Sequence, residues 1–314
     1  MKVLCIGMMV CDTLLSPVPS NILELDSVSI NKPSICCGGD ALNVAIGLAK
    51  LNNSVSIAGR IADDVNGRFI LNECKKYGVD TSGVIYDEEC ATAASYALID
   101  KNGERHFLSE KSIFERLKGE DVSDKAIENA DIIYIGSAMA LREMDRNGIH
   151  DVFSRAHAQG KLTVMDAAIN IEDPDIDWLE YLSPAFMETD VFFPSMDEAA
   201  KITGETDPVR IAEYFRPFSM KIFGIKLGAS GCFVTDFKES RFIECPEDMP
   251  VVDTTGAGDS FMAGLVSGLA RGFDAFSGAR LAVCVATKNV GSVGGTAGIP
   301  DFEEAFRFYR QFIE

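Results

Sequence analysis

Nine residues late in the chain, Val252-Asp253-Thr254-Thr255-Gly256-Ala257-Gly258-Asp259-Ser260, combine a glycine turn with a carboxylate. Phe261, Leu265 and Leu269 follow at helical spacing. The pattern predicts a short strand end, a tight turn and a helix from Ser260 to about Arg271. Backbone N–H groups at a helix N-terminus attract anions. A carboxylate in the same place is out of keeping unless it has work to do. The work that fits is to accept a proton while a phosphoryl group moves. A helix with Asp at its N-cap and two turn glycines would explain Asp259 alone, but it explains Asp253, Thr254 and Thr255 poorly.

A second glycine turn lies near the other end of the chain. Gly38-Gly39 precedes Leu42, Ala45, Ile46 and Ala49, which fit one face of a helix from Ala41 to Leu51. Asp40 is suited to cap that helix, and Asn43 lies one turn in, near whatever the turn holds. Residues 2 to 10 form a continuous apolar run, as a central strand covered on both faces requires. Asp12 is expected just past its C-terminal end, where open α/β sheets bind ligands. A simple turn cap accounts for Asp12 equally well.

The remaining elements have to position these groups. Val55–Gly59 reads as a strand, Arg68–Tyr77 as a helix stopped by Gly78, and Asp131–Gly136 as a strand. A helix from Arg146 to Gln159, strands at 162–166 and 191–193, a helix at 197–202 and one around 211–215 follow. Strands at 221–227 and 232–235, the latter antiparallel, precede helices at 275–289 and 302–313. This alternation predicts βαβ units and a mainly parallel sheet. Two stretches break the rhythm. Residues 13–37 carry prolines and two short extended segments, Ile22–Leu25 and Val28–Ile30. Residues 93–99 and 105–108 flank Lys101-Asn102-Gly103, a hairpin signal. Both read as parts of a small separate sheet, inserted at about 13–37 and about 92–108 into a single unit spanning 1–314.

Composition narrows the class. The chain has 314 residues, 47% hydrophobic and 25% charged, enough for one large α/β core. Its formal net charge of −19 argues against nucleic acid or an anionic membrane as the main partner. Nine cysteines without a CxxC spacing read as reduced thiols and point to the cytoplasm. The three histidines are expected at surface or turn positions. The short apolar start, ended by Asp12, reads as a buried strand and not a signal peptide. No run reaches the length of a membrane span.

Two common nucleotide-binding patterns fail. No Gly-Lys-Ser or Gly-Lys-Thr occurs, so a Walker A loop is absent. Gly256-Ala257-Gly258-Asp259-Ser260-Phe261 has Phe where a dinucleotide fingerprint needs its third glycine, and it lies too late in the chain.

The residues that remain resemble the ribokinase-like, or PfkB, carbohydrate kinases. Gly38-Gly39-Asp40-Ala41-Leu42-Asn43-Val44-Ala45 is similar to the family's first signature, and Asp253 to Phe261 matches its second. Asp64 with Gly67, Gly78-Val79-Asp80, Gly103-Glu104-Arg105 and Lys226-Leu227-Gly228 fall between them in family order. The resemblance covers essentially the whole chain. It implies a three-layer α/β/α sandwich with a mainly parallel central sheet and a small β-sheet lid. It also implies transfer of the γ-phosphate of ATP to a hydroxyl of a sugar or nucleoside, with Mg²⁺.

Residue by residue, the resemblance makes Asp259 the catalytic base and the N–H groups of Gly256, Ala257 and Gly258 the anion hole. Asp12, Gly38, Gly39, Asp40 and Asn43 would hold the substrate. Lys226, Gly228, Ser230, Gly231, Thr255 and Asn289 would border ATP. Glu198 would organise Mg²⁺ through water. Asp253 and Thr255, with carbonyls of 290–295, resemble a K⁺ site. Two departures stand out: Ser195 replaces the family's usual Asn in Ser195-Met196-Asp197-Glu198, and Asp166-Ala167-Ala168-Ile169-Asn170 lacks the arginine many members carry. Without that cation a neutral sugar or a nucleoside is the expected acceptor. Lid residues such as Ile22, Leu23 or Phe107 would serve a purine, and an exposed lid edge would invite a homodimer. At the helix N-terminus Asp259 is expected to stay ionised at neutral pH.

Overall fold

Continuous apolar strands need cover on both faces, and the computed structural model provides it. It describes residues 1–31, 33–169, 176–246 and 249–312. Its large sheet is built from β1 (Lys2–Ile6), β4 (Ser54–Ile61), β5 (Asp80–Tyr86), β8 (Ile132–Ala138), β9 (Leu162–Ala167), β10 (Val191–Phe192), β11 (Ile222–Lys226), β12 (Cys232–Thr235) and β13 (Ser240–Ile243). The order is β13-β12-β11-β10-β9-β8-β1-β4-β5. Every pair from β11 to β5 is parallel, and β12 and β13 add antiparallel strands at one edge.

Side chains alternate across β1. Val3 and Cys5 enter one core with the helices Asp40–Lys50, Ala257–Leu269 and Ala275–Asn289. Leu4 and Ile6 enter the other, with the helices Ile149–His157, Met196–Thr203 and Pro208–Phe215. The result is the expected three layers.

A second, four-stranded sheet is built from β2 (Val10–Leu15), β3 (Ser34–Gly38), β6 (Ala94–Ile99) and β7 (Arg105–Glu110), in the order β3-β2-β6-β7. This is the lid. Register puts Asp12, Ser95, Ala97, Ile99, Arg105 and Phe107 on one face of it. Ile35, Thr13, Tyr96 and Leu108 form a row on the other.

Several expectations need correction. The apolar run 2–10 is not one strand: β1 stops at Ile6, the chain turns at Gly7, and β2 begins at Val10. Asp12 therefore lies within a lid strand and not in a turn beyond β1. Ile22–Glu24 is a turn of 3₁₀ helix, and Val28–Ile30 forms no strand. The helix expected at 146–159 opens with a π-helical turn, Met144–Gly148, before Ile149–His157. His150 and His157 lie in that helix and are partly exposed, in keeping with the surface positions expected. The strands β5 and β13 were not anticipated. The final helix is Phe302–Gln311, with Ile313 outside the described residues. Among the described residues no helix is long and apolar enough to cross a membrane.

Candidate active site

The glycine turn is held by the chain that follows the helix Ala275–Asn289. No strand forms at Val252. Its N–H and that of Asp253 both donate to the Val290 carbonyl, at 2.8 and 3.1 Å. Gly256 has φ +70°, and a Cβ there would lie 2.1 Å from the Gly295 carbonyl oxygen. Only glycine fits. The helix that starts at Ala257 then presents its N-terminus to open space. Of the three N–H groups expected to form an anion hole, that of Ala257 is directed by the tight turn to the Thr254 carbonyl at 3.2 Å. The N–H groups of Gly256 and Gly258 meet no protein acceptor among the described residues.

The two glycine motifs, distant in sequence, converge on one bond. Asn43 Nδ2 donates to Asp259 Oδ2 at 2.8 Å across 216 positions. Burial pushes the Asp259 carboxyl above its usual range, opposed by this amide and by Lys226. The direction is opposite to that expected from the helix terminus alone, because desolvation outweighs the dipole. Asp12 sits on Gly38, where a Cβ would lie 2.1 Å from its carboxylate. Burial, and next the charge of Asp259, raise Asp12 to about 6. Asp40 does not cap its helix: Gly39 is the N-cap, at φ +82°, and Asp40 is the first helical residue. Its Oδ1 accepts from Ala41 N at 2.6 Å and from Ser137 Oγ.

Gly258, Lys226 and Gly228 border two cavities at once. One, about 370 Å³, is apolar and lined by Gly231, Val251, Phe261, Val283, Ala286 and Val290. The other, also about 370 Å³, is polar and lined by Asp40, Asp166, Ser195, Glu198 and Asp259. Ser230, Thr255 and Asn289 line neither. Asn289 is spent on the loop: its Nδ2 donates to Gly295 O at 2.9 Å, and its Oδ1 accepts from Gly298 N at 3.0 Å. Thr254, not Thr255, faces the apolar cavity, with Thr287 and Cys245. The lining was hidden in the sequence because it comes from an ordinary apolar helix face.

Lys226 is a buried counter-ion. Its Nζ donates to both Asp166 oxygens, at 2.6 and 2.7 Å. Burial works against the ammonium, but Asp166, Glu198 and Asp259 together hold it charged. It also lies beside Gly258, 3.6 Å from where a Cβ would stand. Asn170, at the end of the arginine-free run, lies outside the described residues.

Ser195 has a clear local role. Its Oγ caps the helix Met196–Thr203 by accepting from Glu198 N, while Glu198 Oε2 accepts from Ser195 N at 2.6 Å. This capping box fixes Glu198 at the rim of the polar cavity. Ser195→Ala is expected to cost about 1 kcal/mol of stability in urea unfolding. Ser195→Asn, another good cap, should cost much less, and equal losses in the two variants would contradict the capping role.

Arg105, named above only within the Gly103-Glu104-Arg105 match, is brought to the glycine turn by the fold. From the site-facing side of the lid it reaches 150 positions along the chain to Thr255 Oγ1 at 2.8 Å and Asp253 Oδ1 at 3.3 Å. Asp253 also accepts from Thr255 N, Thr255 Oγ1 and Gly294 N. Burial opposes its charge, but these donors and Arg105 lower it to about 2. Among the described residues no cluster of three His, Cys, Asp or Glu suited to a metal occurs.

A profile of the pfkB family of carbohydrate kinases matches residues 1–301. The chain is 27% identical to the 2-dehydro-3-deoxygluconokinase of Bacillus subtilis, over 86% of this chain and 85% of that protein. Its fold matches a fructokinase from Xylella fastidiosa with bound ATP, with a TM-score of 0.85 and 21% identity, covering 100% of this chain and 99% of that one. It also matches a Vibrio cholerae fructokinase double mutant in a form with fructose, ADP and potassium ion bound, with a TM-score of 0.82 and 19% identity over 98% of each chain. With a profile match over nearly its whole length and both glycine motifs meeting at Asp259, this chain belongs to the pfkB family and is an ATP-dependent carbohydrate kinase.

Proposed function

We propose that this kinase moves the γ-phosphate of ATP to a hydroxyl of a small neutral sugar of the ribose or fructose kind. The observation that carries the reading is Gly258 at the border of an apolar and a polar cavity, with Asp259 beside it. The base of ATP fits the apolar side and a polyhydroxylated acceptor the polar side. The γ-phosphate then lies at the helix N-terminus, against the N–H groups of Gly256 and Gly258, with Lys226 alongside. Phosphoryl transfer asks mainly for such positioning and charge stabilisation. Asp259 takes the proton of the attacking hydroxyl. Its raised affinity for that proton makes it a better base than an exposed carboxylate. Asp12, Asn43 and the Gly38-Gly39 backbone hold the acceptor, and the lid excludes water.

The donor set fits Mg²⁺, since Glu198 and Asp166 both open on the polar cavity. Mg²⁺, when bound, would neutralise phosphate charge, with Glu198 holding it through water. Asp253 is a fixed anion beside the 290–295 loop, which suits K⁺. Turnover is expected to be faster in KCl than in NaCl, and equal rates would count against that site.

A second reading has support from Arg105, a cation on the same lid face as Asp12, held by Asp253 and Thr255. A 2-keto-3-deoxy sugar acid is then the alternative acceptor, and a relative bears that activity in its name. A nucleoside is less favoured: Phe107 is on the site face of the lid, but Leu23 is almost fully exposed. ATP consumption measured with ribose, fructose, 2-keto-3-deoxygluconate and nucleosides separates these readings. A sugar acid preferred over neutral sugars by tenfold or so in kcat/KM would overturn the first. No turnover with any acceptor would favour a sugar-binding protein without catalysis.

The outer face of the lid exposes Ile35, Tyr96 and Leu108 in one row. We extend the reading to a homodimer through this sheet. Light scattering that gives a monomer mass would end it.

A further inference from the structure

Lys50 is the last residue of the helix Asp40–Lys50, at the end away from Gly38-Gly39. Its ammonium donates to two main-chain carbonyls, Thr296 O at 2.7 Å and Ala297 O at 3.0 Å. The first of these contacts spans 246 positions. Burial, and then the charge of Lys76, oppose the ammonium. Charge-assisted bonds to two carbonyls are set against that cost.

The two carbonyls belong to the segment that seats the phosphate turn. Gly295 O lies 2.1 Å from where a Cβ on Gly256 would stand, and a Cβ on Gly295 would lie 3.3 Å from Asn43 Nδ2. Gly295 thus touches both the turn with free N–H groups and the amide that holds Asp259. Residues 291–298 form only turns and bends, so side chains from elsewhere must hold them in place. Asp253 Oδ2 accepts from Gly294 N at 3.0 Å, and Asn289 takes Gly295 O and Gly298 N. Lys50 ties the segment to the helix that bears Asn43.

That helix is itself firmly placed. A Cβ at Gly47 would lie 2.8 Å from Ala263 Cβ and 2.9 Å from Ile299 Cδ1, so it packs directly on the helix Ala257–Leu269. Lys50 is seven residues beyond Asn43, about 10 Å along the helix. The ammonium therefore acts on the site through the segment it holds.

Resting on the placement of the γ-phosphate proposed above, we propose that Lys50 is a positioning residue for phosphoryl transfer. By fixing 296–297 it keeps Gly295 O against Gly256, and so aims the N–H groups of Gly256 and Gly258 at the transferring phosphate. One helix then serves the reaction at both ends: its first turn holds Asp259 through Asn43, and its last residue holds the phosphate turn. Donors aimed at a developing charge lose their value when they are turned away from it.

Lys50→Met keeps most of the stem and removes the donors. Its kcat is expected to fall by about tenfold or more, with acceptor KM within about twofold of wild type. Nucleotide binding supplies a readout that a merely structural role would not move. In calorimetry with MgCl₂, a non-transferable ATP analogue should bind Lys50→Met about tenfold more weakly and ADP less than about twofold, since only the analogue carries a γ-phosphate. Lys50→Arg, which can still donate to both carbonyls, should restore kcat and analogue binding. Lys50→Gln, with a shorter reach, should fall between Arg and Met. Equal weakening of the two nucleotides, an unchanged kcat in folded Lys50→Met, or a failure of arginine to rescue would each overturn the proposal. Should Lys50→Met not fold, the order of wild type, Arg and Gln in the same measurements decides. If no acceptor is turned over, the acceptor reading fails, and the two nucleotide titrations alone decide Lys50.

Discussion

Asp259→Asn is expected to lower kcat by about two orders of magnitude or more, the usual contribution of a general base. The KM for ATP should stay near its wild-type value. The geometry predicts this separation. Asn is isosteric, and its side-chain oxygen can still accept from Asn43 Nδ2, which lies 2.8 Å from Asp259 Oδ2. The helix N-terminus keeps its free N–H groups at Gly256 and Gly258. The variant therefore loses a proton acceptor but not a binding surface. The pH dependence carries the same information. Burial raises the Asp259 carboxyl above its ordinary range, so wild-type activity should fall as pH drops through that raised value. This acid limb should vanish from the residual activity of Asp259→Asn. Steady-state kinetics decide the matter: near-normal turnover in the variant would remove Asp259 from the chemistry.

Lys226→Met should be the most damaging single change to stability near the site, at about 3 kcal/mol or more, because it leaves a buried charge without its partner. Lys226 and Asp166 are both largely buried, with 13% and 3% of their side chains exposed. Water cannot replace the two bonds at 2.6 and 2.7 Å. In the variant Asp166 would have to take up a proton or draw in solvent. Urea unfolding of Lys226→Met, Asp166→Leu and the double variant measures this. The double variant should recover much of the loss, since it removes both charges. A loss below about 1 kcal/mol in Lys226→Met would mean that Asp166 finds another counter-ion. The same residue borders both cavities, so weaker ATP binding should accompany the loss of stability.

The two glycine motifs were legible because they depend on local geometry. Gly256 needs a left-handed φ and room against Gly295, and no other residue type offers both. The same demand writes Gly38-Gly39 into the chain before the first helix. Helices such as Ala275–Asn289 were read closely because a one-sided apolar stripe is a property of a short window. Where two buried strands follow one another, as at residues 2–15, the apolar pattern runs on without a mark, and the break at Gly7 was missed. Asp12 was therefore misplaced by one element. Asn289 and Thr255 were read as nucleotide contacts, yet the fold uses Asn289 to hold the 294–298 backbone and turns Thr255 toward the lid.

By itself the sequence determined the two glycine turns and the α/β alternation that carries them, and it picked out Asp259 as the candidate base. Each rests on neighbours within a few positions. Only the tertiary structure decided which groups share a pocket and in what state of charge. Asn43 meets Asp259 across 216 positions, and Arg105 crosses from the lid to Asp253 and Thr255. Lys226 is consumed by Asp166, and Asp40 is left with one oxygen satisfied and one alone. Desolvation and pairing depend on what the whole fold packs around a group, and no local window of the chain contains that information.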